Sequence, residues 1–249
     1  MKIVVVGGTG LIGSRVVPRL ESRGHDVVVA ARSTGVNSFT GEGLAEAVEG
    51  AAVIVDVSNS SYTDEAGALE FFEGSTLNLL TFGAAAGVRL HVALSVVGTD
   101  RLAASEGGYF RAKEIQERLI TASHRPFTIV HATQFFEFLG SISDDATRGN
   151  RVQLAQALIQ PMAADDVALA VADAAEAEPR NGMIEYGGPD RFPLSDLVRT
   201  TLRALGDPRE VVADPLARYF GSALTERELL PAADAHIAAT SYGSWLDRA

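Results

Sequence analysis

The feature that most restricts the fold is Gly7-Gly8-Thr9-Gly10-Leu11-Ile12-Gly13, set directly between the strand-like Lys2-Ile3-Val4-Val5-Val6 and an amphipathic stretch that begins at Leu11. It fits Gly-x-Gly-x-x-Gly read from Gly8 and Gly-x-x-Gly-x-x-Gly read from Gly7. Such a turn needs glycine for positive φ, for close approach of backbone to a pyrophosphate and for tight helix–strand packing. The helix that follows offers free N–H groups and the positive end of its dipole. The strand before and the helix after are the context that gives the pattern its meaning. The loop therefore predicts dinucleotide binding, with Gly7, Thr9, Gly10, Leu11, Ile12 and Gly13 on the cofactor side.

The rest of the N-terminal half repeats the alternation that this loop begins. Short β-branched runs at 2–6, 27–31, 52–57, 89–95 and 127–131 are separated by helical patterns over Leu11–Arg23, Leu44–Val48, Asp64–Ala86 and Tyr109–Ser123. That rhythm calls for a parallel sheet with helices on both faces. Ile3–Val6 and Ala52–Val55 show no polar alternation and belong at the sheet centre, covered on both sides. After residue 131 the rhythm loosens into a Phe-rich segment, a helix from Asp165 to Glu176 with Asp165-Asp166 as its N-cap pair, and a strand near Met183–Tyr186. Ser195 is expected to cap a helix running to Arg203, with Gly206 as its stop. The expected architecture is one α/β domain, a Rossmann-type doubly wound parallel sheet, with a small C-terminal lobe on the substrate side over roughly 190–249.

Composition narrows the partners. With 47% hydrophobic and 21% charged residues, the chain of 249 residues can bury a full core, and the absence of cysteine excludes disulfides, thiolate metal sites and a cysteine nucleophile. The net charge of −11 repels nucleic-acid backbones and anionic membranes; residues 1–136 carry −3 and residues 137–249 carry −8, so the N-terminal half is the better host for an anion. No run approaches the ~18 apolar residues of a spanning helix, and a cytoplasmic protein is expected. None of the five histidines stands in a metal-binding spacing.

Which dinucleotide is bound depends on the end of the second strand, where a carboxylate would hold a ribose 2′-hydroxyl. That place reads Ala30-Ala31-Arg32-Ser33, so a 2′-phosphate would meet the Arg32 guanidinium and the Ser33 hydroxyl, and NADP(H) is expected ahead of NAD(H). Asn59, past the third strand, lies where a side chain can line the cofactor or form a turn. Ser95 ends the fourth strand, and Tyr109 and Lys113 follow at i, i+4, one face of the next helix, with Gly107-Gly108 giving the chain freedom to enter the crevice. A cation beside the phenol would lower its pKa and make Tyr109 a proton donor, with Ser95 hydrogen-bonding the same carbonyl oxygen. Only Lys2 and Lys113 are lysines among 21 basic residues, so the compact ammonium at 113 stands out. His131 is expected to be a satisfied strand-end histidine, and Phe135, Phe136 and Phe138 to be core, one or two of them walling a substrate.

With Leu94-Ser95-Val96-Val97-Gly98, Tyr109-Phe110-Arg111-Ala112-Lys113, Thr133-Gln134-Phe135-Phe136-Glu137-Phe138 and Gln160-Pro161 leading into Asp165-Asp166-Val167-Ala168, the chain resembles the short-chain dehydrogenase/reductase superfamily, in its atypical NmrA-like branch. The resemblance implies strand order 3-2-1-4-5-6. It also implies Ser95, Tyr109 and Lys113 as carbonyl polariser, proton donor and ribose-binding partner that lowers the Tyr109 pKa. The Asn-Asn-Ala-Gly segment of the single-domain enzymes is absent, and Val57-Ser58-Asn59-Ser60 stands at the corresponding strand end. The expectation is an NADP(H)-dependent oxidoreductase acting on a ketone, aldehyde or quinone in an apolar or aromatic pocket. The rival reading from the same resemblance is a non-catalytic NADP(H) redox sensor, with the acidic C-terminal half as a docking face for a protein partner.

Overall fold

The computed structural model describes residues 1–62, 64–105 and 108–248. Seven strands form one parallel sheet: β1 (Lys2–Val6), β2 (Asp26–Ala30), β3 (Val53–Asp56), β4 (Leu90–Val96), β5 (Phe127–Ala132), β6 (Gly182–Gly187) and β7 (His236–Ile237). The helices are α1 (Gly13–Ser22), α2 (Leu44–Val48), α3 (Glu65–Ala85), α4 (Thr99–Ala104), α5 (Gly108–Ala122), α6 (Leu139–Asp145), α7 (Ala164–Glu176), α8 (Leu194–Ala204) and α9 (Tyr242–Leu246). Strand periodicity divides the apolar residues between the faces. Ile3, Val5, Val53 and Val55 pack with α1 and α7, whereas Val4, Val6 and Ile54 pack with α2 and α3. Strands with both faces covered must be apolar throughout, which is why β1 and β3 read as unbroken aliphatic runs.

The order across the sheet is β7-β6-β5-β4-β3-β1-β2. This corrects the 3-2-1-4-5-6 order that the resemblance implied. Only residues 31–52 separate β2 from β3, and they hold the 3-10 turn Arg32–Thr34 and the five-residue α2. A further parallel strand here would need two crossovers of about a dozen residues or more each, one from β2 and one to β3, as well as the strand itself. The chain therefore steps from the edge strand β2 across β1 to β3, and the sheet reverses direction at β1. At such a switch point the loops at the carboxyl ends of β1 and β3 part and leave a crevice.

After β5 the chain no longer alternates simply. The short strand Arg151–Leu154 pairs with Glu210–Ala213, and His236–Ile237 returns to the main sheet beside β6. The stretch 190–248 is thus threaded into the rest of the molecule. Glu137 fastens this region: one carboxylate oxygen accepts the Ala164 N–H at the start of α7 (3.0 Å) and the other accepts Trp245 Nε1–H on α9 (3.0 Å). The N-cap of α7 is Ala163, which corrects the expected Asp165-Asp166 cap. Asp165 instead meets Arg19 at 2.7 Å, and Asp166 accepts the Thr240 N–H at 3.0 Å. Likewise Pro193, not Ser195, caps α8, because its fixed φ of −59° lets the chain leave the Phe192–Pro193 strand straight into a helix. Gly206 (φ +69°) does follow the end of α8. No helix among the described residues is long and apolar enough to cross a membrane.

Candidate functional site

The loop from Gly7 to Gly13 is built by exclusion of side chains. Gly7 has φ +76°, and a Cβ on it would fall 2.8 Å from the Ser58 backbone. Gly8 and Gly13 have ordinary φ values and are required for space alone: a Cβ at Gly8 would lie 2.9 Å from Val5 O, and one at Gly13 would lie 2.2 Å from Gly7 O. Positive φ is thus needed at Gly7, and close approach at the other two. Over Gly10 the nearest atom to a Cβ is Gly7 O at 3.2 Å, so the space above the loop is open. No side chain caps the N-terminus of α1; the Ser14 and Arg15 N–H groups bond Gly10 O and Ile12 O, so the N–H groups of Leu11, Ile12 and Gly13 are the ones left to an anion. This cradle, open over Gly10 and closed beneath Gly13, fits a dinucleotide pyrophosphate.

The loop is one end of a cleft of about 1050 Å³. Thr9, Leu11 and Ile12 line it together with Gly7 and Gly10, and Arg32 and Ser33 stand exposed at its mouth on the 3-10 turn after β2. Arg32 forms no ion pair and no side-chain hydrogen bond among the described residues. Asn59, Tyr109 and Lys113 line the cleft further in, followed by an aromatic wall of Tyr62, Phe135, Phe138, Tyr219 and Phe220. Of the three expected phenylalanines, Phe135 and Phe138 stack on each other in this wall, while Phe136 turns into the core against Tyr242 and Trp245.

Tyr109, 5% exposed, donates its hydroxyl to Asn59 Oδ1 at 2.8 Å, and Asn59 Nδ2 donates to the Tyr62 hydroxyl at 3.2 Å. The Tyr62 and Tyr109 rings lie 4.3 Å apart, centre to centre. Asn59 is therefore a cleft residue that fixes the phenol. Burial, with Tyr62 close by, pushes the Tyr109 pKa well above 10. This corrects the expected lowering by Lys113. The Lys113 ammonium is directed past the phenol: it donates to Leu94 O at 2.8 Å and to Gln116 Oε1, and it rests 4.5 Å over the Phe72 ring. Burial lowers the Lys113 pKa to about 8, although Asp56 and Glu117 oppose the shift.

Ser95 lines the same cleft as Tyr109, and its hydroxyl is already bonded. Its hydroxyl donates to Glu117 Oε1 on α5, and the same carboxylate oxygen lies 3.0 Å from His131 Nε2. Burial acts to raise the Glu117 pKa, but the hydrogen bonds from His131 and Ser95 hold it below the usual range. His131 is thus satisfied, and Ser95 braces β4 against α5. Gly108 opens α5; Gly107 lies outside the described residues.

Asp56, Gln116 and Glu117 of the network were missed in the sequence. Asp56, which ends the all-apolar β3, accepts from Ser58 N–H (3.0 Å) and Ser58 Oγ (2.6 Å) with one oxygen and from Gln116 Nε2 (2.8 Å) with the other. A carboxylate closing an aliphatic strand was the available signal. Gln116, one turn after Lys113 on α5, had no such signal; its amide bridges Lys113 to Asp56.

The fold has parallels among solved structures. The chain superposes on MoeE5 in complex with UDP-glucose and NAD with a TM-score of 0.73 at 17% identity, covering 99% of this chain and 96% of that one. It superposes on the Thermus thermophilus UDP-glucose 4-epimerase complex with NAD at 0.67 and 18%, covering 92% of each chain. The dTDP-4-dehydrorhamnose reductase of Yersinia enterocolitica gives 0.64 and 16%, covering 86% of this chain and 83% of that one. At these identities the likeness shows the fold. No curated protein sequence matches the chain. The family model described as NAD dependent epimerase/dehydratase matches residues 3–130, which hold the glycine loop, β2 to β4, most of β1 and β5, and the Tyr109 and Lys113 helix. The chain belongs to the NAD dependent epimerase/dehydratase family.

Proposed function

We propose that the protein is an NADP(H)-dependent oxidoreductase of the NmrA-like kind that interconverts a carbonyl and an alcohol, with an apolar, aromatic substrate. The observation that carries this reading is the single cleft that joins the glycine loop and Arg32 at one end to Tyr109 and the aromatic wall at the other. A bound nicotinamide supplies hydride to the carbonyl carbon. The Arg32 guanidinium and Ser33 hydroxyl hold the 2′-phosphate as charge-assisted and neutral donors respectively. Lys113 spends two of its three N–H donors on Leu94 O and Gln116, and its third serves a ribose hydroxyl. Tyr109 gives its proton to the carbonyl oxygen as that oxygen gains charge, breaking its hydrogen bond to Asn59, and is reprotonated from water. With a pKa well above 10 the phenol is fully protonated at neutral pH, ready to donate in the reductive direction. Ser95 acts at one remove, as a positioning residue that holds α5 through Glu117.

Tyr109→Phe is expected to lower kcat about 100-fold or more, in line with the usual contribution of a general acid, and to leave the Kd for NADPH within about twofold. An unchanged kcat removes Tyr109 from the chemistry. A second reading, a redox sensor of NmrA type that binds NADP(H) without turnover, is favoured by one observation: the Ser95 hydroxyl, in a residue that lines the cleft, is bonded to Glu117. Tight NADPH binding with no consumption against any carbonyl would select it.

A further inference from the structure

The far end of the cleft contains a buried amide with nothing to bond. Gln134 follows β5 by two residues, lines the cleft and is 7% exposed, yet neither its Nε2 nor its Oε1 makes a hydrogen bond. The neighbouring Tyr219 phenol feels the amide but stands outside hydrogen-bond geometry. A buried donor or acceptor without a partner loses its hydration without compensation, and Gln134 has both.

The roof over this amide is strained as well. The hairpin of Arg218–Tyr219 with Ser222–Ala223 turns through Phe220 (φ +46°) and Gly221 (φ +85°). Two central residues with φ > 0 form the turn type that selects Asn, Asp or Gly at the first position. A bulky phenylalanine there is held by its surroundings: its ring lies 5.0 Å from Tyr62 and 4.9 Å from Tyr219. Local backbone preference has been overridden to put a ring in the cleft wall.

We infer that Gln134 is the polar anchor of the acceptor site. Its ligand is a flat, uncharged ring whose edge sets a hydrogen-bond donor beside an acceptor, as a lactam or carboxamide does, received under the Phe220 hairpin. The aromatic wall selects the flat ring, and the edge-on amide selects the paired donor and acceptor. A charged group is excluded because a neutral amide among aromatic rings cannot repay its desolvation. The Gln134 amide is sealed from water in the closed arrangement, so the hairpin shifts to admit the ligand. This inference rests on the reading of the cleft as a carbonyl-reducing site.

The test uses isatin, a flat ring with a reducible ketone and a lactam edge, and N-methylisatin, in which the donor is blocked. In NADPH consumption the wild type is expected to favour isatin about tenfold in kcat/KM, mostly through KM, and Gln134→Leu is expected to bring the ratio near one. The melting temperature of Gln134→Leu is expected to stay level or rise, since two orphaned atoms disappear. Phe220→Asn is expected to raise the melting temperature and to raise KM for both rings. A wild-type ratio near one, or a tenfold ratio that survives in Gln134→Leu, overturns the inference. If neither compound is consumed, the failure belongs to the carbonyl-reducing reading, and thermal shift decides the anchor separately. Stabilisation by isatin but not N-methylisatin, lost in Gln134→Leu, supports it, and equal shifts in all cases overturn it.

Discussion

Lys113 shows what a residue's surroundings do that its spacing cannot announce. The i, i+4 relation to Tyr109 was legible, and it correctly put both side chains on the cleft side of α5. The expected electrostatic coupling was not realised, because the ammonium found closer partners in Leu94 O and Gln116. Those partners come from β4 and from the next turn of α5, and the depth of the site comes from α3 through Phe72. Burial then sets the Lys113 pKa at about 8 against an ordinary 10.5. Between these values the unfolded chain binds more protons than the folded one, so this group makes stability rise with pH from about 8 towards 10.5. In cofactor-free protein, the denaturant midpoint of the wild type is expected to gain on that of Lys113→Met between pH 7.5 and 9.5. Parallel profiles would show that Lys113 is not held in a depressed state. Ser95 carries the same lesson: a strand-end serine was legible, but alternation along β4 turned its hydroxyl to Glu117, and nothing in the local sequence marked Glu117 as its acceptor.

At the scale of elements, the strand–loop–helix unit from Lys2 to Ser22 was the most readable, because its constraints are local. Each glycine has its own reason, and the reasons separate by experiment. Gly13→Ala drives a Cβ into the Gly7 carbonyl, backbone against backbone, and is expected to cost about 2 kcal/mol or more of stability. Gly10→Ala meets only one atom at 3.2 Å and is expected to leave stability nearly unchanged while weakening NADPH severely, since its methyl enters the space over the loop. Urea unfolding and NADPH titration of the two variants check this, and an equally stable Gly13→Ala would contradict the packing argument. Helix ends that depend on distant residues were less readable. The start of α7 is satisfied by Glu137 from another segment, so the Asp165-Asp166 pair, attractive as a local cap, was free to bind Arg19 and Thr240.

For the whole molecule, the class of fold followed from alternation and from two aliphatic strands, whereas the strand order required counting what lies between them. Residues 31–52 are too few for another strand with a parallel crossover on each side of it, and β2 accordingly stands at the edge. The C-terminal stretch was least legible, because its strands are two to four residues long and pair with segments far away in sequence. Yet that stretch supplies Tyr219 and Phe220 to the cleft, so the molecule closes its site with the part that sequence patterns describe least. The reversal of the strand order at β1 and the open glycine cradle fit a nicotinamide dinucleotide, and the proposal built on them and on Arg32 at the cleft mouth is an NADP(H)-dependent reductase. The most direct test is titration with NADPH and NADH of the wild type and Arg32→Ala, followed by consumption of the preferred cofactor against quinones, bulky ketones and aldehydes. The account predicts tighter NADPH than NADH, a loss of about tenfold or more for NADPH alone in Arg32→Ala, as befits one charge-assisted phosphate contact, and turnover with an aromatic carbonyl. Equal affinity for the two cofactors, equal losses on removing Arg32, or tight binding without turnover across the panel would contradict it.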